Sequence, residues 1–274
     1  MLEYPEAVVL SRQVNEYLKG KQVINVVPAH SPHKFAFFYQ DPENYKQLLM
    51  GKKVTDTKAY GGFIEISLED TVLLLGDGVN LRLFQKGEKL PEKHQLLIEF
   101  EDDLVLICSV QMYGGIYAFK KGENDNKYYK IAKEKPAVLS DEFNFNYFNN
   151  LISENSGKLS LKAFLATEQR IPGLGNGALQ DILFNAGFHP KKKLDSLDED
   201  DKKALFSSIK GTIEKMITAG GRDTESNLFN QPGGYKSILC KNTVSKPCAV
   251  CQDPIKKEAY LGGSIYFCST CQKL

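Results

Sequence analysis

The stretch Pro247–Gln272, PCAVCQDPIKKEAYLGGSIYFCSTCQ, contains two Cys-x-x-Cys pairs with sixteen residues between them. The pairs are Cys248 with Cys251 and Cys268 with Cys271. Each short turn directs two sulfur atoms toward one point, so two facing turns supply the four thiolates of a tetrahedral Zn²⁺ site. The intervening residues alternate around Gly262-Gly263 and predict a β-hairpin. Because four thiolates leave no open position for water, we expect a structural zinc ion that stabilises this segment; two redox pairs are the alternative.

Upstream, IPGLGNGALQDILFNAGFHP (Ile171–Pro190) combines a glycine-rich turn with an amphipathic helix. Gly173 and Gly175 permit a tight turn, and Asn176 stands where the helix begins. Free backbone N–H groups at a helix N-terminus can bind a phosphate. The same residues also suit a simple helix–helix connection capped by Asn176, and the turn alone does not decide between the two.

Around these motifs, the chain divides into a β-rich first half and a helical second half. Runs rich in β-branched and aromatic residues between about Val23 and Lys130 predict antiparallel strands packed as a sandwich or barrel. A helix is predicted before them, with Pro5 in its first turn and Gly20 at its end. The polar segment YYKIAKEKPAVLSDEF is predicted to be an extended linker. Apolar residues at three- and four-residue spacing then predict helices in FNYFNNLISENS, LSLKAFLATE, NGALQDILFNAGF and DKKALFSSIKGTIEKMITAGG.

Bulk composition indicates a globular protein large enough for two domains. The chain has 274 residues, 42% of them hydrophobic and 25% charged, with a formal net charge of +1. This near-neutral balance names no partner, and four arginines are few for a protein that grips phosphates. With no secretion signal and no apolar run of membrane-spanning length, we expect a cytoplasmic protein.

The combination of IPGLGN, the helix ending AGFHP, the cysteine hairpin and an N-terminus of the form M-x-E-x-P-E closely resembles the formamidopyrimidine-DNA glycosylase and endonuclease VIII family. The resemblance covers nearly the whole chain and implies an α+β architecture. It implies an N-terminal antiparallel β-sandwich with flanking helices at 1–133 and a linker at 134–150. A helix–two-turns–helix DNA-binding domain at 151–234 and a β-hairpin zinc finger at 235–274 would follow.

The function that the resemblance implies is base-excision repair. Family members bind damaged or abasic duplex DNA, flip out the damaged base, cut the glycosidic bond and cleave the strand by elimination. Glu3 matches the family's general acid/base, and Glu6 matches an acidic position that caps the first helix and helps to fix the terminus. We accordingly expect a DNA partner, no membrane, a monomer, a nucleoid-associated location and a structural Zn²⁺ ion.

The N-terminus departs from the family pattern at the nucleophile. The family uses a proline exposed by removal of the initiator methionine, whereas this chain has Leu2. A bulky second residue disfavours that removal, so Met1 is expected to stay and to offer a primary amine. Primary amines do form Schiff bases, but the geometry at the sugar differs.

Several positions that face DNA in the family also differ. Asn176, Gly173 and Gly175 match the family's phosphate-binding turn, and Met112 and Tyr113 remain able to insert into the base stack. Gly62 stands where the family has a lysine, with Lys58 four residues earlier; Asp77 replaces a wedge methionine, Gln111 an arginine, and Gly263 the arginine of the zinc hairpin. The scaffold is retained while many groups that contact substrate have changed.

Three functions remain open at this point. The first is an active DNA glycosylase, with either the Met1 amine as nucleophile or Glu3 activating water. The second is a zinc-containing nucleic-acid-binding protein without glycosylase activity. The third is a protein–protein module on the same scaffold, which the near-neutral charge and scarce arginine would suit.

Overall fold

The computed structural model describes residues 2–155, 157 and 159–274. The helices are α1 (Tyr4–Leu18), α2 (Tyr45–Leu49), α3 (Lys127–Glu134), α4 (Phe145–Glu154), α5 (Leu161–Ala166), α6 (Ala178–Asn185) and α7 (Glu199–Thr218). The strands are β1 (Val23–Pro28), β2 (Ala36–Phe38), β3 (Val54–Tyr60), β4 (Phe63–Leu68), β5 (Thr71–Gln85), β6 (Leu96–Phe100), β7 (Leu104–Lys120), β8 (Lys256–Tyr260) and β9 (Gly263–Phe267). The predicted division into a β-rich half and a helical half is confirmed.

The N-terminal part is a β-sandwich whose strands follow the order β1-β6-β7-β5-β4-β3. The long antiparallel pair β5–β7 belongs to both layers, and a β-bulge between Asp77 and Val79 interrupts its register. Apolar side chains of the strands and of α1 and α2 form one buried core between the layers. This α+β sandwich is the predicted fold class.

Two strand predictions were incomplete. We expected only antiparallel pairs, but β2 runs parallel to β7, because β7 extends past the end of β6 and exposes an edge at Gly114–Ile116. We also read LVLICSVQMYGG and IYAFKKG as separate strands, whereas β7 continues through both. The glycines in this region permit close chain crossings; for example, a side chain at Gly78 would collide with the carbonyl of Tyr113.

The C-terminal part is a helical body with its own core. Phe148, Phe164, Ile182 and Ile213 are fully buried there, and Tyr4 of α1 packs into the same cluster. All four helices predicted from apolar spacing are present as α4, α5, α6 and α7. Beyond them, β8 and β9 form the predicted hairpin, which packs against α6.

The prediction of an extended linker is wrong for the first half of that segment, which forms α3. Asn126 begins the helix by accepting a hydrogen bond from the Tyr129 amide at 3.0 Å. Tyr129 and Ala132 then pack on the outer face of the sheet beside Phe63. Tertiary burial of this short apolar stripe outweighs the polar composition on which the prediction relied.

No helix in the described ranges combines the length and the apolar character that crossing a bilayer would require.

Candidate functional site

A cavity of about 570 Å³ lies where the N-terminus, the β5–β7 crossing and the loop before α6 meet. Glu3 and Asp77 contribute carboxyl groups to its wall, and Tyr113 and Tyr117 contribute aromatic rings. The helical part contributes the backbone of Gly173–Gly175. A concave site with apolar walls and a few converging polar groups is the usual form of a small-molecule or flipped-base pocket.

Glu3 lines this cavity and connects the two parts of the molecule. The residue is 3% exposed, and its two carboxylate oxygens accept hydrogen bonds from the amides of Gly177 and Ala178, each at 2.7 Å. These amides belong to the start of α6, where the helix dipole favours a negative charge. Burial raises the pKa of Glu3, while Arg222 and the two amides act in the opposite direction.

Glu6 does not cap α1, contrary to the prediction, because no side chain makes a capping hydrogen bond at that helix start. Its carboxylate instead binds the Arg222 guanidinium in a bidentate pair, with Nε–Oε1 at 2.9 Å and Nη2–Oε2 at 2.7 Å. Arg222 Nη1 also lies 3.4 Å from Glu3 Oε2. The prediction that Glu6 helps to hold the N-terminal segment agrees with this contact, which joins α1 to the chain after α7.

Arg222 is a site residue that the sequence analysis missed. It is buried, and it reaches the helix start so closely that a side chain at Gly177 would overlap its guanidinium. The chain has only four arginines, so each of them was a candidate for a specific role. No local sequence pattern, however, pairs Arg222 with carboxylates more than two hundred residues away.

The start of the chain is fixed by backbone hydrogen bonds on both sides of the cavity. The Leu2 amide donates to the Asp77 carbonyl at 2.7 Å, and the Tyr4 amide donates to the Gly173 carbonyl at 2.8 Å. Met1, the predicted nucleophile, lies outside the described residues. The cavity environment raises the pKa of Asp77 by disfavouring its charged form, and its backbone at φ +58° sits at the bulge of β5.

The glycines of the IPGLGN turn allow close packing between the two parts. Gly173, at φ +80°, lies against the backbone of Gly61 and Gly62, and a Cβ on Gly175 would come within 2.5 Å of the Glu3 carboxylate. Phosphate binding by Gly173, Gly175 and Asn176 stays a prediction, but the amides of Gly177 and Ala178 at the start of α6 are not free to take part in it. Their N–H groups are already bound by Glu3.

Asn176 connects the start of α6 to the hairpin. Its Nδ2 donates to the Ser264 carbonyl at 2.9 Å, and Gln180 Nε2 reaches the same carbonyl at 3.3 Å. Gly263, the preceding residue on β9, faces Asn176 and the ammonium of Lys162. The turn of the hairpin and the start of α6 thus share one surface.

The other residues predicted to contact DNA lie along the ribbon and strand ends. Met112 is 73% exposed and Tyr113 is 42% exposed, as insertion into a duplex would require. Gly62 lines the cavity. Lys58 points to solvent and pairs with Asp56 at 3.2 Å, so it does not take the lysine's place at the site.

The four cysteines of the hairpin segment converge on one point. The Sγ atoms of Cys248, Cys251, Cys268 and Cys271 all lie within 4.8 Å of one another. The pairs Cys248–Cys271 and Cys251–Cys268 are 3.8 and 3.3 Å apart. A tetrahedron with metal–sulfur bonds of about 2.3 Å has sulfur–sulfur edges of about 3.8 Å, so the cluster can hold one metal ion. Cys108 is fully buried in β7 and separate from this cluster.

Comparison with known proteins finds one matching domain model and several relatives that are similar over the full length of the chain. Residues 135–227 match the model of the formamidopyrimidine-DNA glycosylase H2TH domain. Formamidopyrimidine-DNA glycosylase from Wolbachia sp. subsp. Brugia malayi is 26% identical over 99% of this chain and all of the relative. The enzyme of the same name from Bacillus licheniformis is 27% identical over the full length of both chains. Residues 135–227 thus match an H2TH domain of the formamidopyrimidine-DNA glycosylase type, and the whole chain is similar to enzymes of that name.

Solved structures share the fold. MutM (Fpg) from Thermus thermophilus superposes with a TM-score of 0.81 over 98% of each chain at 21% identity. Lactococcus lactis Fpg, in a complex with DNA that contains an abasic site, gives a TM-score of 0.83 over 99% of this chain and all of that one, at 20% identity. The H2TH match starts inside the segment 134–150 that the resemblance assigned to a linker, and it ends before the proposed limit at 234.

Proposed function

We propose that this protein is a DNA glycosylase of base-excision repair that binds damaged or abasic duplex DNA across the cleft containing Glu3. The observation that carries the proposal is the agreement of full-length relatives named formamidopyrimidine-DNA glycosylase with a buried carboxyl group on the wall of a base-sized cavity. The abasic-site DNA bound by Lactococcus lactis Fpg supports the substrate class. The exposed pair Met112 and Tyr113 fits the role of filling the space left by a flipped base.

Chemistry at this site has two possible routes. None of the described residues that line the cavity is a lysine, so an amine for Schiff-base formation would have to come from the N-terminus. The other route uses Glu3 as the base that activates water, giving base release without strand cleavage. Burial raises the pKa of Glu3, which favours its protonated form relative to that of an ordinary carboxyl group and suits a group that exchanges a proton.

The four-cysteine cluster is proposed to bind a structural zinc ion. Four thiolates at this spacing complete a tetrahedral shell, and the hairpin around them buries little apolar surface of its own. We also propose that the protein acts as a monomer.

The decisive experiment incubates the protein with duplexes that contain oxidised purines, oxidised pyrimidines or an abasic site. We expect base release from at least one lesion and a loss of about 10²- to 10⁴-fold in Glu3→Gln. Glu16→Gln, an exposed carboxylate on α1, is the matched control and should keep full activity. Borohydride trapping distinguishes the two routes, because only amine attack leaves a covalent protein–DNA adduct detectable by intact mass.

Absence of base release from every lesion, together with abasic-site binding that Glu3→Gln leaves unchanged, would contradict the proposal. Thermal melting of each variant shows whether a loss of activity reflects unfolding. Glu3→Gln can destabilise the protein, because its single carbonyl oxygen replaces two oxygens that each accept a hydrogen bond from an α6 amide.

A further inference from the structure

Resting on the proposed DNA binding, we infer that Lys162 of α5 supplies the phosphate-binding cation at the hairpin where this chain has Gly263. The two residues are 101 positions apart in sequence, yet the Lys162 Nζ atom is the nearest neighbour of a Cβ built on Gly263, at 3.4 Å. The Asn176 side chain lies at 3.8 Å from the same point. The ammonium thus lies at the surface that joins α6 to the hairpin.

Lys162 is a buried lysine with no acidic partner among the described residues, so it can bind an anion. Its side chain is 5% exposed, and its Nζ donates to the Tyr260 carbonyl at 2.5 Å. Burial lowers its pKa, and no charged neighbour in the described structure offsets that shift. A buried cation without a counterion costs free energy, and a phosphate oxygen would recover it. An ammonium has three N–H donors, so two remain beyond the bond to Tyr260.

Lys191 lies at the same hairpin, but it already has an acidic partner within the protein. Its Nζ lies 5.4 Å from the centre of the Tyr260 ring, compared with 5.9 Å for Lys162. Unlike Lys162, it forms an ion pair with Glu258. Lys191 is therefore a control of matched charge and location whose positive charge is already neutralised.

The glycines at the turn place no side chain of their own beside the ammonium. A Cβ at Gly262 would meet no atom within 4 Å, so open space lies beyond the turn. Gly263 itself does not adopt the left-handed conformation, and its closest neighbour is the flexible end of the Lys162 side chain. An arginine can therefore be introduced at Gly263 without backbone strain.

The test measures affinity for a duplex with a stable abasic-site analogue at several salt concentrations. Each phosphate contact contributes about 0.9 to the slope of log affinity against log salt concentration. We expect Lys162→Gln to weaken binding about tenfold and to reduce that slope by about one, with Lys162→Arg retaining both. Lys191→Gln should stay close to the wild-type values.

A second substitution tests the replacement directly. Gly263→Arg in the Lys162→Gln background should restore the lost slope, because it returns a cation to the same surface. If Lys162 only ties α5 to the hairpin, Lys162→Gln will lower the melting temperature but keep the wild-type slope, which overturns the inference. A wild-type protein with no salt-dependent duplex binding would instead reject the proposed function.

Discussion

At the residue scale, the site depends on three buried ionic side chains that join distant parts of the chain. Arg222 lies between Glu3 and Glu6, and Glu3 also receives the two amides at the start of α6. Removing one partner from such a group leaves an uncompensated buried charge and costs about 3–5 kcal/mol. Glu3 is consequently both the candidate catalytic group and a structural one, which explains why the carboxyl could persist while the residues facing DNA changed.

Gly175 provides a test of this dual role. A methyl group there would come within 2.5 Å of Glu3 Oε1, so Gly175→Ala should displace the carboxylate, lower the melting temperature and reduce base release at least tenfold. Gly211→Ala is the control, because Gly211 lies inside α7 with no atom within 4 Å of a Cβ, and alanine there should stabilise the protein by about 0.5–1 kcal/mol. Equal activity and stability for the two variants would show that Glu3 tolerates a shift.

At the element scale, α6 is the junction of the molecule. Its first turn binds Glu3, Asn176 beside it binds Ser264, and Asp181 within it accepts hydrogen bonds from the amides of Ile238 at 2.9 Å and Leu239 at 2.8 Å. Asp181 therefore connects the helix to the chain that leads into the cysteine segment. Eight residues of helix thus position the Glu3 carboxyl, the candidate catalytic group, and the hairpin relative to each other.

Asp181 should make stability depend on pH in an unusual direction. Burial raises its pKa from the ordinary 3.8 to about 6 in the folded protein. Between these two values the folded state binds more protons than the unfolded state, so the free energy of unfolding should fall as pH rises from 4 to 6, by up to about 3 kcal/mol. Asp181→Asn should be less stable but should lose this part of the pH dependence, as urea denaturation at pH 4.5 and 6.5 would show. An unchanged difference between the two pH values would rule out Asp181 as its source.

The elements show where sequence reasoning succeeds. The cysteine pairs, the IPGLGN turn and the apolar spacing of α4 to α7 act over a few residues, and the cysteine cluster and the helices predicted from them are present in the structure. The contacts from Glu3 to α6 and from Glu6 to Arg222 span 174 and 216 residues. No local sequence pattern encodes such pairs, so the contacts of Arg222 and Lys162 could be identified only in the folded structure.

At the scale of the whole molecule, residues 2–6 connect the sheet part to the helical part. The sheet core, the helical core and the small core around the cysteines have different members. Leu2 binds the β5 bulge, Tyr4 binds the IPGLGN turn, and Glu6 binds the chain after α7. The N-terminus is thus the link that closes the cleft, and a shift there would change the relative position of the surfaces proposed to hold DNA.

Metal removal should show whether the cysteine core organises the proposed DNA surface separately from the rest of the fold. The purified protein should contain about one zinc ion per chain by mass spectrometry. Complete chelation should abolish duplex binding, because Ser264 and Gly263 would no longer be held against Asn176 and Lys162. The sheet and helical cores do not include the cysteines of the cluster, so most of the circular dichroism signal should remain.

Cys251→Ser is expected to reproduce this pattern and Cys240→Ser, outside the cluster, to leave binding intact. Full DNA affinity in the metal-free protein would show that the hairpin does not organise the DNA surface.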